Sequence, residues 1–305
     1  MSDENEADVS CCCASCGIVE MDDIKLKECD SCDLVRYCSD ECQEDHRSQH
    51  EVACKKRAAE LREELLFKQP ESTHLGDCPI CSLPLSLEKS TSTMFECCSK
   101  VICQGCYYAN LIREKKERLQ HSCPFCRKAF CSREEADKRR MARVEANDPL
   151  ALRFEGIDQY KKGDYVRSFE YWTKAAELGD AEAHHRLARL YHDGEGVEKD
   201  KKKEIHHYEE AAIGGHPKAR HNLGRHELIS GNVERSAKHL IMSATQGYDP
   251  SIKALMEAFK VGFGFVEKEV LATALRAHKT AVDATKSPQR DEAESSMDSV
   301  SGRIM

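Results

Sequence analysis

The cysteines between residues 78 and 127 have the spacing of metal ligands. They form four pairs: Cys78 and Cys81, Cys97 and Cys98, Cys103 and Cys106, and Cys123 and Cys126. Two thiolates at Cys-x-x-Cys spacing can both reach one tetrahedral zinc ion at about 2.3 Å, and two such pairs complete a structural site. This stretch therefore predicts two zinc ions, and it is the segment around which the rest of the chain is organised.

A second metal-ligand pattern precedes the first. Its eight candidate ligands are Cys13, Cys16, Cys29, Cys32, Cys38, Cys42, His50 and Cys54. Two of the steps span four residues, and ligands at i and i+4 share one face of a helix. The pattern predicts a helix after Cys42 and two further zinc ions, which makes four per chain. Cys11 or Cys12 could substitute for Cys13, and His46 is interpreted as a solvated helix residue.

Composition assigns these thiols to metal rather than to disulfides. All 18 cysteines lie at or before Cys131 in a chain of 305 residues. Disulfides belong to oxidising compartments, and the sequence has no apolar run that could act as a signal peptide or a membrane span. We therefore expect a soluble protein of the cytoplasm, the nucleus or both, without membrane partners. The formal charge of −8 argues against a nucleic-acid partner, which usually requires a basic face.

Residues 13–54 resemble the MYND zinc finger, and the phrase YCSDECQ at 37–43 is very close to that family's wording. The resemblance implies an interleaved cross-brace. One zinc ion would be held by Cys13, Cys16, Cys38 and Cys42, and the other by Cys29, Cys32, His50 and Cys54. The resemblance also implies binding of short proline-containing peptides. The family usually has Trp where this chain has Arg47, a departure that affects peptide docking and not the zinc sites.

Residues 78–127 resemble a RING finger. In that family's cross-brace, one zinc ion would be held by Cys78, Cys81, Cys103 and Cys106, and the other by Cys97, Cys98, Cys123 and Cys126. The family usually has a histidine two residues after its third ligand, and here that position is Lys100, which is not a zinc ligand. We therefore infer an all-cysteine variant, with His121 or Cys131 as alternatives to one of the adjacent pair Cys97 and Cys98.

Two further residues bear on activity through the same resemblance. RING ubiquitin ligases contact their conjugating enzyme through an apolar residue inside the first Cys-x-x-Cys, and Ile80 occupies that place. They commonly have a cation directly after the last ligand, which hydrogen-bonds both ubiquitin and the conjugating enzyme, and Arg127 lies there. Arginine suits this role because its planar fork offers several donors. The alternatives are a packed loop residue for Ile80 and a solvated charge for Arg127.

The sequence after Pro149 repeats. Similar phrases begin at Gly179, Gly215 and Gly247, and this period is typical of a helical solenoid whose repeats bury their faces against each other. The phrases resemble Sel-one-like repeats, relatives of the tetratricopeptide repeat, which implies a binding scaffold without catalytic residues. We expect three repeats from Pro149 to Gly247 and a degenerate fourth repeat that ends near Asp283.

Histidines collect in these repeats, at His184, His185, His206, His207, His216 and His221. No cysteine or acidic ligand accompanies them at a fixed spacing, as a metal site would require. We therefore interpret them as polar residues on exposed or concave helix faces.

Together the patterns predict two small zinc-stabilised cross-brace fingers followed by an all-α helical-repeat solenoid. The expected segments are a disordered start (1–10), a MYND-like finger (11–54), a helical linker (55–76), a RING-like finger (77–131), a second helical linker (132–148), Sel-one-like repeats (149–285) and a disordered tail (286–305). Fingers of this size bury too little apolar surface to fold unaided, so zinc is expected to supply much of their stability.

The leading functional hypothesis is a modular ubiquitin ligase without a catalytic nucleophile. The RING-like finger would hold a ubiquitin-charged conjugating enzyme, and the repeats, with or without the MYND-like finger, would bind the substrate. The alternative is a non-enzymatic zinc-finger and repeat scaffold that binds proteins through all three modules. In both hypotheses the partners are proteins.

Overall fold

The structure is a computed structural model that describes residues 12–262 and 266–301, so the start predicted to be disordered at 1–10 lies outside the described residues. The chain divides into two compact units, residues 1–68 and 69–305, and each is described by itself. No helix in the described part of the chain is long and apolar enough to span a membrane.

The first unit consists of a short hairpin and one long helix. Strand β1 (Lys27–Glu28) pairs with β2 (Arg36–Tyr37) in antiparallel orientation, and α1 spans Asp40–Leu66. The Ser39 side chain accepts a hydrogen bond from the backbone of Cys42, which caps the free N–H groups of the first turn. The predicted helical linker at 55–76 is helical only as far as Leu66, because the chain turns there ahead of Pro70.

The second unit begins with the second finger. A 3₁₀ turn at Lys89–Thr91 leads into β3 (Ser92–Phe95), which pairs with the antiparallel strand β4 (Lys100–Cys103), and α2 (Gln104–Glu117) follows directly. The finger's core combines Leu85, Phe95 and Ile102 with buried ligand cysteines. With so few apolar residues, the finger depends on its metal sites for stability.

The remainder of the second unit is a helical solenoid, as predicted. Its helices are α3 (Arg133–Glu145), α4 (Pro149–Lys161), α5 (Tyr165–Glu177), α6 (Ala181–Asp193), α7 (Lys201–Ile213), α8 (Pro217–Ile229), α9 (Val233–Thr245), α10 (Asp249–Lys260) and α11 (Lys268–Ala284). Three helical hairpins, α4–α5, α6–α7 and α8–α9, correspond to the three predicted repeats. The predicted second linker contains α3, which packs on α4 as part of this layer.

The repeated glycines have a conformational role. Gly179, Gly215 and Gly247 have φ angles of +87°, +76° and +84°, in the left-handed region that favours glycine. Each follows the second helix of a hairpin and turns the chain into the next repeat. Between hairpins the core is dominated by alanine, including Ala175, Ala183 and Ala211, which lets the helices approach closely.

The tail predicted to be disordered at 286–305 is instead helical over most of its length. Helix α12 spans Pro288–Ser301 and packs against α2 of the finger. Its polar, serine-rich sequence contains no pattern that predicts docking, and its contacts with the finger include hydrogen bonds to backbone carbonyls. Arg290 donates to the carbonyl of Pro84 at 2.7 Å and to that of Leu83 at 3.1 Å. Ala293 is fully buried, and residues 302–305 lie outside the described residues.

Candidate metal centres

The structure brings the sixteen predicted ligands together in four groups of four. The groups are Cys13, Cys16, Cys38 and Cys42; Cys29, Cys32, His50 and Cys54; Cys78, Cys81, Cys103 and Cys106; and Cys97, Cys98, Cys123 and Cys126. Within each group the ligand atoms lie within 4.8 Å of one another. Ligands held tetrahedrally at 2.3 Å from one ion lie about 3.8 Å apart, whereas disulfide sulfurs are about 2.05 Å apart. Each group therefore fits one zinc ion.

The first unit interleaves its two sites. Sulfur–sulfur distances are 3.5 Å between Cys16 and Cys38 and 3.8 Å between Cys29 and Cys54, and Cys32 lies 3.2 Å from Nε2 of the buried His50. Helix α1 contributes ligands to both sites, because Cys42 belongs to the first group while His50 and Cys54 belong to the second. One helix therefore connects the two loops.

Surplus candidates in this unit lie outside the two sites. His46 is hydrogen-bonded through Nδ1 to the hydroxyl of Tyr37 at 3.1 Å, so it has a structural partner rather than a metal. Cys12 is half-buried and belongs to neither group. Cys11 lies outside the described residues. Arg47, at the position where the resemblance leads one to expect Trp, is exposed and paired with Glu44 on the same helix.

In the second finger, the first site surrounds the start of α2. Cys103 is the N-cap of α2, and its sulfur accepts a hydrogen bond from the backbone of Cys106 at 3.4 Å. Cys81 lies 3.8 Å from Cys103. A hydrogen bond from Cys103, together with backbone N–H groups, lowers the pKa of the buried Cys78 thiol to about 4. This direction favours the thiolate form of Cys78, which is the form that binds metal.

The second site of this finger uses both adjacent cysteines. Cys98 lies 3.8 Å from Cys123, and Cys97 lies 3.3 Å from Cys126. The two alternative ligands considered for this site lie outside it. Cys131 is exposed, and Nδ1 of His121 lies 3.0 Å from Glu114. The backbone turn at Cys97 and Cys98 therefore lets these two adjacent cysteines face one ion, and the four ligands of this group are all cysteines.

The two residues assigned to partner contact lie at the surface of the finger. Ile80, between two ligands of the first site, is 43% exposed. Arg127, directly after the last ligand of the second site, is exposed and has a left-handed backbone, with φ of 62°. Its Nη1 donates a hydrogen bond to Oδ1 of Asn110 on α2 at 3.1 Å. The interleaving of ligands fixes the two loops relative to each other.

A buried network that sequence reasoning missed supports Arg127. Glu114, only 1% exposed, accepts hydrogen bonds from the backbone and hydroxyl of Ser122 and from Nδ2 of Asn110, at 2.8 to 3.0 Å. Burial alone would raise the pKa of Glu114, but these bonds and that with His121 outweigh it and lower the pKa to about 2. The stretch 113–121 is rich in charged residues, and no local pattern in it marks Glu114 as buried.

The histidines of the repeats are less exposed than their polarity suggests. His185 and His216 are 4% and 3% exposed, and Glu182, an acidic residue, lies beside His216. Burial lowers the pKa of His185 well below its usual range. His206, by contrast, has a side chain that is 54% exposed, as the sequence interpretation expects.

Comparison with known families bears on the first unit directly. The profile of the MYND finger matches residues 13–54, the segment that contains both interleaved sites of that unit. Residues 13–54 are a MYND finger. The MYND finger binds zinc, and its two sites account for two of the four zinc ions that the chain can hold.

The repeats are also matched. The Sel1 repeat profile matches residues 150–180 and 181–216, which contain the hairpins α4–α5 and α6–α7. A Sel1 repeat protein from Oxalobacter formigenes is 25% identical, with a TM-score of 0.43, over 59% of this chain and 72% of that one. A protective antigen with an SLR fold from uropathogenic Escherichia coli strains is 19% identical, with a TM-score of 0.38, over 64% of this chain and 41% of that one. No curated protein matched the sequence.

These findings establish a modular protein. It contains a MYND finger, a second pair of zinc-finger-like sites and Sel1 repeats, and both kinds of module serve protein–protein interaction.

Proposed function

We propose that the protein is a RING-type ubiquitin ligase. In this proposal the second finger positions a ubiquitin-charged conjugating enzyme, and the Sel1 repeats, with or without the MYND finger, bind the substrate. The observation that carries it is the exposure of both Ile80 and Arg127, each directly beside a ligand of one of the finger's two interleaved sites. We further propose action in the cytoplasm, the nucleus or both, because a reducing compartment preserves zinc-binding thiolates.

Each zinc ion would have a structural role, because four protein ligands would leave no open coordination position for a reactant. The finger's own residues would accelerate transfer by holding the thioester in one orientation, which converts a loose encounter into an intramolecular reaction. Arg127 is suited to this task. Asn110 holds one end of its guanidinium group, and the remaining N–H donors of this exposed side chain are available to a partner.

The alternative is a non-enzymatic scaffold, and two specific contacts favour it. If the hydrogen bond from Arg127 to Asn110 persists when partners bind, the guanidinium group is less able to reach ubiquitin. The second contact is that of Lys100. The RING resemblance leads one to expect a histidine ligand at this position, but the ammonium group of Lys100 lies 5.9 Å from the ring centroid of Phe125.

Binding and catalysis can be tested separately. Titration of the full-length protein with a panel of conjugating enzymes should reveal at least one whose binding is weakened by Ile80→Ala. The full chain is required because α12 packs on α2. Ile112→Ala is the matched control, since Ile112 is similarly exposed (46%, against 43% for Ile80) on α2. Zinc content measured on both variants must equal that of the parent protein. Binding that neither variant weakens would contradict the proposal.

A further inference from the structure

Two histidines and a glutamate form a cluster away from the cysteine sites, with a third histidine stacked beside it. His74, Glu182 and His216 each offer a ligand atom within 4.8 Å of the others. Nε2 of His216 lies 2.7 Å from Oε2 of Glu182, and Nε2 of His74 lies 3.7 Å from the same oxygen. All three line a cleft of about 850 Å³, so ions can reach them from solvent.

The backbone fixes these positions. The N–H of His74 donates to the carbonyl of Gly215 at 2.9 Å, and a Cβ on Gly215 would lie only 2.7 Å from the carbonyl oxygen of Ser72. The segment that leads into the second finger is therefore packed against the turn before α8. Glu182 lies in the first turn of α6, and its other oxygen is paired with Arg186 at 2.6 Å.

His216 departs from the pattern of its own repeat. It is the N-cap of α8, in the place that Asp180 occupies at the start of α6. Aspartate is among the preferred N-cap residues and histidine is not. The start of the helix therefore does not require an imidazole, and a second role for this side chain would explain it.

Several nitrogen atoms of the cluster lack partners. Within the described residues, Nδ1 of His74 and both ring nitrogens of His185 are buried without a hydrogen bond. His185 stacks on His216, with ring centroids 4.4 Å apart. Buried polar atoms are rarely left unpaired. The rings of His74 and His185 are therefore not fixed by hydrogen bonds at these nitrogens, and they can reorient around an ion.

We propose that His74, Glu182 and His216 bind a divalent transition-metal ion of the zinc class, with His185 packed against the site. Two imidazoles and one carboxylate favour zinc, cobalt or nickel over calcium or magnesium, which prefer oxygen ligands. Three protein ligands leave one coordination position facing the cleft. The ion would join the segment before the second finger to two successive repeats, as a fifth metal site of the chain.

Binding requires a rearrangement. Nδ1 of His216 accepts a hydrogen bond from the N–H of Ala219 at 3.1 Å, so the ring proton lies on Nε2. An ion at Nε2 would displace this proton to Nδ1 and end the cap bond. The stacked rings of His74 and His216, with centroids 4.0 Å apart, must also turn so that both lone pairs meet the ion. The site should therefore bind more weakly than the cysteine groups.

The test uses the full-length protein with its cysteine sites filled with zinc, and cobalt(II) as the probe. We expect about one additional cobalt ion per chain, with visible d–d absorption but no thiolate-to-cobalt charge-transfer band, because the ligands are nitrogen and oxygen. His216→Asn should abolish this binding while retaining a good N-cap, and His74→Gln should do the same at the other side of the site. His206→Ala is the matched histidine control.

Three results would overturn the proposal. The first is that no cobalt binds beyond the four zinc ions. The second is that His216→Asn and His74→Gln leave the amount of bound cobalt unchanged. The third is a spectrum with thiolate-to-cobalt bands, which would mean that cobalt has exchanged into the cysteine sites. Circular dichroism of each variant shows whether the repeats are still folded.

Discussion

Oδ1 of Asn110 accepts a hydrogen bond from Nη1 of Arg127 at 3.1 Å, which connects the middle of α2 to the residue directly after the last zinc ligand. Asn110 is itself held by the buried Glu114 through a 2.8 Å hydrogen bond from its Nδ2. The side chain proposed to lock the ubiquitin thioester is therefore oriented by two residues that are buried within the finger.

Asn110→Ala should reduce ubiquitin discharge without reducing zinc content. Loss of one hydrogen bond to a charged group corresponds to about 1.5 kcal/mol at the lower end of its range, which gives roughly a tenfold lower rate if Asn110 acts by orienting Arg127. A double-mutant cycle with Arg127→Ala checks the mechanism, because residues that act through one another have non-additive effects. An increase in rate for Asn110→Ala would instead show that Asn110 restrains Arg127.

Glu114→Gln should destabilise the second finger by about 1–3 kcal/mol, because the buried acceptor of several hydrogen bonds is replaced by a group that is partly a donor. The control is Glu117→Gln, on the exposed face of the same helix. Urea unfolding at saturating zinc measures both. Since the folded pKa of Glu114 is about 2 and its ordinary value is 4.5, its stabilising contribution is complete above pH 4.5 and declines only below it. A Glu114→Gln effect no larger than that of Glu117→Gln would contradict this account.

Arg290→Ala should release α12 from the finger. The guanidinium group donates to the carbonyls of Leu83 and Pro84, and its loss leaves these contacts unmade. We expect faster proteolysis between α11 and α12 and about 1–3 kcal/mol less stability for the finger. Arg276→Ala, an exposed arginine of α11, is the matched control. Equal cleavage rates in the two variants would show that the docking of α12 does not depend on Arg290.

Removal of zinc should unfold the fingers and leave the solenoid folded. The core around Trp172 and Leu187 contains no cysteine ligand, so it does not depend on metal. A strong chelator should therefore preserve most of the helical circular dichroism signal. Before chelation, eighteen cysteines less fifteen cysteine ligands leave three thiols to react, and afterwards all eighteen should react. Loss of most helical signal along with the zinc would contradict independent folding of the repeats.

The parts of the structure that the sequence predicted are those encoded locally. A Cys-x-x-Cys pair such as Cys78 and Cys81 indicates metal binding within four residues of sequence. The repeated glycines mark the turns between repeats, because the backbone there is left-handed. The unusual ligand pair Cys97 and Cys98 was also predicted, because the RING resemblance requires eight ligands and Lys100 cannot serve as one of them.

The features that the sequence did not predict depend on contacts between distant residues. Arg290 of α12 meets the carbonyl of Leu83, 207 residues earlier, and nothing in a polar, serine-rich tail marks such a partner. Likewise, Glu182 lies 108 residues after His74 and 34 before His216, so no fixed spacing indicates their cluster. Glu114 is buried against Ser122, the residue directly before the ligand Cys123, and this contact spans eight residues without a local pattern to indicate it.

The central claim is that the second finger activates a charged conjugating enzyme, and ubiquitin discharge by the full-length, zinc-loaded protein tests it most directly. The account predicts that at least one conjugating enzyme loses its ubiquitin faster in the presence of the protein. Ile80→Ala and Arg127→Ala should each abolish this acceleration with zinc content unchanged, whereas Ile112→Ala should retain it. Absence of acceleration across the panel by a folded protein with four bound zinc ions would contradict the ligase proposal, and the scaffold function would then be the better account.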